Sequence, residues 1–280
     1  MKVDAHHHFW DPTRAAYPWM TAELAKIRRP FGPADLEPQL RRCGVDRSIV
    51  VQARADVHET RELLATAAST GFVAGVVGWI DLMDPNAAQT IAELKALPGG
   101  AKLVGIRRQV HDEPDPAWLL GDDVQRGLSA VGAAGLAYDL LVRTRELPAA
   151  LETARRFPDM RFVIDHIAKP SIRDGRGVDA WAQAMAPFSE LNHVSCKLSG
   201  MVTEADWKGW RPEDLAPYVR KALAWFGPDR CRFGSDWPVC LLAAGYGQVL
   251  SALEAALPAL DDPSRAKVMG GTAEAFYRLG

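Results

Sequence analysis

The chain has only four cysteines in 280 residues, Cys43, Cys196, Cys231 and Cys240, and no two of them share a CxxC spacing. That excludes a disulfide framework and the common thiolate metal motifs. Each cysteine stands in an apolar or strand-like context and reads as a reduced core residue, which predicts a cytoplasmic protein. Long apolar runs are missing too. No window approaches a membrane span, and the opening MKVDAHHHFW carries acid and histidine where a secretory signal carries its apolar stretch. Nor is there an excess of positive charge: 33 Lys and Arg stand against 35 Asp and Glu, for a formal net charge of -2. A surface basic enough to hold a nucleic-acid backbone is therefore not indicated. Low-complexity stretches and interdomain linkers are likewise absent. With 48% hydrophobic and 24% charged residues, the composition is that of a soluble globular protein, and residues 1–280 are expected to form a single large domain.

What the chain does have is alternation. Eight short apolar runs, KVDAHHH, SIVVQA, VAGVVGWID, KLVGIRR, LAYDLLV, RFVIDHIAK, VSCKLSG and CRFGSDWP, read as buried strands. Between them lie amphipathic stretches with helical spacing, among them PADLEPQLRRCG, ETRELLATAASTG, RELPAALETARRF, GVDAWAQAMAPF and PEDLAPYVRKALAWFG. Another, DPNAAQTIAELKALPGG, is punctuated as a helix, with Asp84 as cap, Pro85 in the first turn and Gly99 and Gly100 past its end. Roughly eight β-α repeats in about 250 residues is the count of an α/β protein of the (β/α)₈ TIM-barrel class, whereas a doubly wound sheet of this length uses fewer strands.

A parallel barrel places its chemistry at the C-terminal ends of its strands, and polar residues gather there. The first run ends in His6 and His8, the fourth in Arg107 and Arg108, the sixth in Asp165 and His166, the seventh in Lys197 and Ser199, and the eighth in Asp236. Side chains alternate along a strand, so His6 and His8 project one way and His7 the other. A run of only three histidines set in an apolar strand does not read as an affinity tag. Such an HxH pair offers two imidazoles to one divalent ion, and His166 and Asp236 are the residues able to complete its ligand set. Blander roles compete at each position: core histidines, His166 as a loop cap, and Asp236 as the start of a turn before Pro238. The same alternation splits Arg107 from Arg108, and Arg107 is the one expected to face the barrel. Trp10, Trp79, Trp207 and Trp237 have the faces to stack on sugar C–H groups, although packing is the usual role of tryptophan in a barrel. Trp207 and Trp210 lie in a long loop, residues 200–211, that has the length to cover the site. His58, His111 and His193 have no comparable neighbours and read as surface or loop residues.

Taken in order, HxHFW, KLVGIR, DLLVR, FVIDHIAKP, CKLSGMVTEADW and FGSDWPVC resemble the amidohydrolase superfamily, in the branch of metal-dependent hydrolases that contains sugar lactonases such as L-fuconolactonase and L-rhamnonolactonase. The similarity runs from Asp4 to GGTAEAFYRL near the C-terminus. It implies a (β/α)₈ barrel acting on carbohydrate lactones, in a family whose members work with or without a bound metal. Two departures are visible. Relatives commonly carry glutamine where His7 stands, and the fourth and fifth runs here lack the bridging lysine or glutamate and the histidine of the binuclear enzymes, so at most one metal fits, with zinc the expected ion.

On this resemblance the substrate is a small sugar lactone and Asp236 is the base that takes a proton from water and returns it to the ring oxygen. His6, His8, His166 and Asp236 hold the single ion, or the histidines act as hydrogen-bond donors in its place. Arg107 or Arg108, Lys197 and His166 polarise the carbonyl or hold sugar hydroxyls. The bland alternative for Lys197 is a structural ion pair with Asp236. A hydrolase of dicarboxylate lactones, a related decarboxylase and a catalytically silent metal- or sugar-binding barrel are the competing readings.

Overall fold

The computed structural model describes residues 1–280. Eight strands, β1 (Val3–His7), β2 (Arg47–Val51), β3 (Val73–Gly78), β4 (Leu103–Gln109), β5 (Ala137–Leu141), β6 (Phe162–Ile164), β7 (Val194–Leu198) and β8 (Cys231–Phe233), pair in parallel in sequence order. The sheet closes on itself just past the ends of its outermost strands. His8 donates its backbone N–H to Trp237 O at 2.7 Å and Asp236 donates its own to His6 O at 2.8 Å. The fold is thus the (β/α)₈ barrel that the alternation predicts.

Helices α1 (Pro33–Cys43), α2 (Val57–Ser69), α3 (Ala87–Ala96), α4 (Asp122–Ala133), α5 (Leu147–Arg156), α6 (Val178–Met185), the single turn α7 (Met201–Glu204), α8 (Pro212–Phe226), α9 (Tyr246–Ala256), α10 (Asp262–Ala266) and α11 (Thr272–Tyr277) follow in chain order. The first of them illustrates the local logic. Pro33 opens α1 where its missing N–H costs nothing, Leu36 and Leu40 recur at four-residue spacing and are buried, and Gly44 ends the helix in the left-handed region at φ +61°. One expectation needs correction: α3 starts at Ala87, and Asp84 is not its cap. The Asp84 carboxylate instead accepts from Asn86 N at 2.8 Å, closing a turn one residue too early to serve the first helical N–H groups.

The apolar core has two parts. Outward-facing strand residues such as Val50, Val76, Ile106, Leu140, Ile164 and Phe233 pack against the helices, each buried side chain stabilising the fold by about 1.5–3 kcal/mol. Inside the barrel, Ala5, Ile49, Val51, Val77, Ala137 and Val163 form a smaller cluster with Ala273 and Tyr277 of α11. This last helix plugs the bottom of the barrel. The four cysteines are free, with Cys196, Cys231 and Cys240 buried. No helix is long and apolar enough to cross a membrane.

Two strand ends depart from the extended backbone expected of RFVIDHIAK and CRFGSDWP. After Ile164 the chain enters the left-handed region for four consecutive non-glycine residues, His166, Ile167, Ala168 and Lys169, at φ between +48° and +58°. Asp236 lies at φ +56°. Such residues cost roughly 1–2 kcal/mol each and persist only where their surroundings fix them. Buried Trp181 is one such restraint, donating its Nε1–H to Ile167 O at 2.7 Å.

Candidate active site

The four residues expected to ligate a metal converge at the barrel mouth. His6, His166 and Asp236 present ligand atoms that all lie within 4.8 Å of one another. His8 Nε2 is 3.2 Å from His6 Nε2 and 3.4 Å from Asp236 Oδ1. The register of β1 against β2 shifts between Asp4 and His7, and His6 and His8 face the interior while His7 turns away to Ser48 Oγ at 2.8 Å. Burial holds the histidines neutral, lowering His6 well below its usual value, His7 to about 3 and His166 to about 4. Burial pushes the Asp236 carboxyl upward, but the polar imidazoles of His166 and His8 and the charge of Lys169 outweigh it and leave the group below the ordinary aspartate value.

These donors fit one divalent ion. His8 Nδ1 lies 2.7 Å from Val51 O, which can only accept, so the Nδ1 carries the proton and Nε2 presents its lone pair. That lone pair faces the Asp236 carboxylate at 3.4 Å, acceptor set against acceptor, an arrangement that favours a cation between them. His166 is oriented by Ser199 Oγ, 2.8 Å from its Nδ1.

Beneath the mouth lies a fully buried charged layer. Asp165 Oδ2 accepts from Arg107 Nη1 at 3.1 Å, Asp165 Oδ1 forms an ion pair with Lys197 Nζ at 2.9 Å, and Lys197 Nζ donates to Asp139 at 2.5 Å. His6 Nδ1 sits over this layer, 3.1 Å from Lys197 Nζ and 3.4 Å from Asp165 Oδ1. From below, Tyr277 donates its hydroxyl to Asp139 at 2.8 Å. Burial opposes ionisation of Asp165, but Lys197, His6 and Arg107 overcome it and hold the carboxyl well below the usual range.

Several sequence expectations are corrected by this geometry. Lys197 pairs with Asp139 and Asp165 and not with Asp236, and at 0% exposure it is absent from the cavity lining and contacts His6 Nδ1 at 3.1 Å. Arg107 faces the cavity, whereas Arg108 points outward to Glu113 at 2.5 Å and over the ring of Trp118 at 5.2 Å. Trp79 lies beside Arg108 on that outer side. Trp10 is buried, donating to Ile27 O at 3.2 Å, and Trp237 is packed between Phe9 and Phe31. Trp207 is an exposed residue that donates to Thr203 O, and Trp210 is tied to Ala243 O. None of these tryptophans lines the central cavity.

That cavity, of about 140 Å³, is lined by His8, Arg107, His166 and Asp236 together with residues the motifs do not flag: Trp19, Gln109, His111, Asp112 and Lys169. His111 is thus no surface histidine, and burial lowers it to about 3. Trp19 is the aromatic wall, fixed by its bond to Ala53 O at 2.8 Å. A larger cavity of about 510 Å³ lies beside it, around Arg54, His58 and Glu59, but holds no comparable convergence of imidazoles.

Two predictions arise from the supports of the site. Gly200 has φ +63°, and a Cβ there would lie 2.6 Å from His166 Nδ1. Gly200→Ala therefore displaces the imidazole and lowers kcat/KM by about 10²-fold with secondary structure retained, as steady-state kinetics and circular dichroism will show. Glu59 fixes the loop after β2 by accepting from Ala53 N at 2.9 Å and Arg54 N at 2.8 Å, and burial raises its carboxyl from 4.5 to about 7. The folded state binds this proton more tightly than the unfolded state does, so stability is fully present at low pH and declines as pH rises from 4.5 to about 7. Urea midpoints across that interval will show the decline, and Glu59→Gln removes this part of it.

An HxH pair on the first strand, a histidine after the sixth and an aspartate after the eighth give this barrel a candidate metal site at its mouth, as in a hydrolase-type barrel. The chain belongs to the amidohydrolase family, whose signature matches residues 3–279. It is 44% identical to an L-fucono-1,5-lactonase of Burkholderia ambifaria, over 99% of this chain and 96% of that one, and 40% identical to an L-fucono-1,5-lactonase of Burkholderia multivorans, over 100% and 96%. Among solved structures, an amidohydrolase of Burkholderia multivorans with bound zinc superposes with a TM-score of 0.93 at 39% identity, covering 100% of both chains.

Proposed function

We propose that the protein hydrolyses a sugar-derived 1,5-lactone to its aldonic acid, with L-fucono-1,5-lactone as the first substrate to test. The observation that carries this reading is the convergence of one carboxylate, Asp236, with the imidazoles of His6, His8 and His166 at a cavity of about 140 Å³ that His8, His166 and Asp236 line. The two lactonases that share 44% and 40% of its residues support the substrate class.

In the proposed reaction, Asp236 Oδ1 accepts a proton from the attacking water as its oxygen bonds to the lactone carbonyl carbon. When the tetrahedral adduct collapses, the bond from that carbon to the ring oxygen breaks and Asp236 returns the proton to the departing oxygen, which leaves as a hydroxyl. His6, His8, His166 and Asp236 are the residues that would hold a divalent ion, with zinc favoured by the zinc-bound relative. Such an ion supplies a lowered pKa for bound water and polarisation of the carbonyl. Arg107 Nη1, 3.2 Å from His6 Nε2, occupies the neighbouring space with a fixed positive charge, which argues against a second ion.

Proton release on an aldonolactone panel tests the activity, and failure to turn over any member sinks the proposal. For the ion, zinc added to the chelator-treated protein is expected to raise its melting temperature, and His8→Asn to abolish that rise. The free buried thiols fit a cytoplasmic location.

A further inference from the structure

The charges around the cavity mouth close on one another. Lys169 lines the cavity and pairs with Glu204 of α7, whose other carboxylate oxygen lies 3.9 Å from Arg143 Nη1. Lys169 and Glu204 are each only 15% exposed, so water and salt screen this pair weakly. Deeper in, Arg107 is committed to Asp165 and to the backbone and side-chain oxygens of Gln52. Every cation lining the cavity therefore has a carboxylate partner, while two carboxylates, Asp112 and Asp236, also line it.

We infer that Glu204 is a specificity-determining residue: by occupying Lys169, it confines the site to lactones that carry no carboxylate. The inference rests on the lactonase reading above and deepens it. A substrate carboxylate entering the cavity must exchange its water for a cation. Drawing Lys169 from Glu204 leaves the Glu204 carboxylate shielded and half-partnered, so the exchange gains nothing. The rim is thus built against anionic lactones by neutralisation and needs no steric block. The aldonate product is itself a carboxylate, and it meets the same commitment of every cation.

The test uses two lactones that differ at one carbon, L-fucono-1,5-lactone with its C6 methyl and the L-configured enantiomer of galactaro-1,5-lactone, which has the same ring configuration and a C6 carboxylate. In Glu204→Gln, kcat/KM for the carboxylate lactone relative to the methyl lactone is expected to rise by at least about tenfold, with the methyl-lactone rate kept within about threefold. Adding Lys169→Met to Glu204→Gln returns the ratio toward that of the wild type. An unchanged ratio in Glu204→Gln with the methyl-lactone rate intact overturns the inference, as does a wild type that turns over both lactones equally well. Should Glu204→Gln not fold, inhibition of the wild type decides: fuconate and galactarate are expected to bind at least about tenfold more weakly than the methyl lactone, and equal binding overturns the inference. A wild type inert on both lactones counts against the lactonase reading itself, an outcome separate from these.

Discussion

Asp236→Asn is expected to lower kcat for lactone hydrolysis by about 10²–10⁴-fold with little change in KM. The substitution is well suited to the site. Asn tolerates the left-handed backbone that residue 236 adopts, so the φ of +56° and the backbone bond to His6 O are kept. What disappears is the basic oxygen that lies 3.4 Å from His8 Nε2 and 3.9 Å from both His6 and His166. The amide retains a hydrogen-bonding oxygen but accepts no proton at neutral pH, so substrate binds and is not turned over. Initial rates by proton release, with ligand binding measured in parallel, separate the two effects, and a variant within a few fold of the wild type in kcat removes Asp236 from the role of base.

The second large effect falls on stability. Lys197→Met leaves the buried Asp139 and Asp165 with Arg107 as the one cation paired to either, and with the Tyr277 hydroxyl still donating to Asp139. Removing one member of a buried charge network costs about 3–5 kcal/mol, because the stranded charges stay desolvated. Urea unfolding of Lys197→Met is expected to show that loss. The double variant Lys197→Met with Asp139→Asn should recover part of it, since the second change removes one of the stranded charges. Full additivity of the two losses would mean that Lys197 and Asp139 do not act as a pair.

The barrel was legible because its signal repeats: eight apolar runs separated by helical spacing leave few other folds. The HxH pair, His166 and Asp236 were visible for a related reason, as polar residues closing otherwise apolar strands, and strand alternation alone separated Arg107 from Arg108. Most of the residues that escaped notice carry no periodicity; Gln109, two positions past Arg107 on β4, is the exception and follows from the same alternation. Trp19, His111 and Asp112 sit in connections whose course depends on tertiary contacts, and Lys169 is turned toward the cavity by a left-handed stretch that the sequence DHIAK, with no glycine, gives no reason to expect. Asp139 did leave a trace, a lone carboxylate in the apolar run LAYDLLV, which calls for a buried cation and has one in Lys197. The tryptophans misled because ring size identifies a good stacking partner without locating it. Four of them were committed to packing or to the outer faces.

Barrel closure has a consequence for how the protein is made. The histidine pair leaves the ribosome with β1, ahead of the other seven strands, whereas its carboxylate partner is the neighbour of Ser235, which bonds to Asp4 across 231 positions of chain. Until β8 arrives, the edge of β1 that faces away from β2 stays unpaired and His6 and His8 lack their carboxylate neighbour. Contacts of such long sequence separation slow folding. Competence for chemistry is therefore among the last properties this chain acquires.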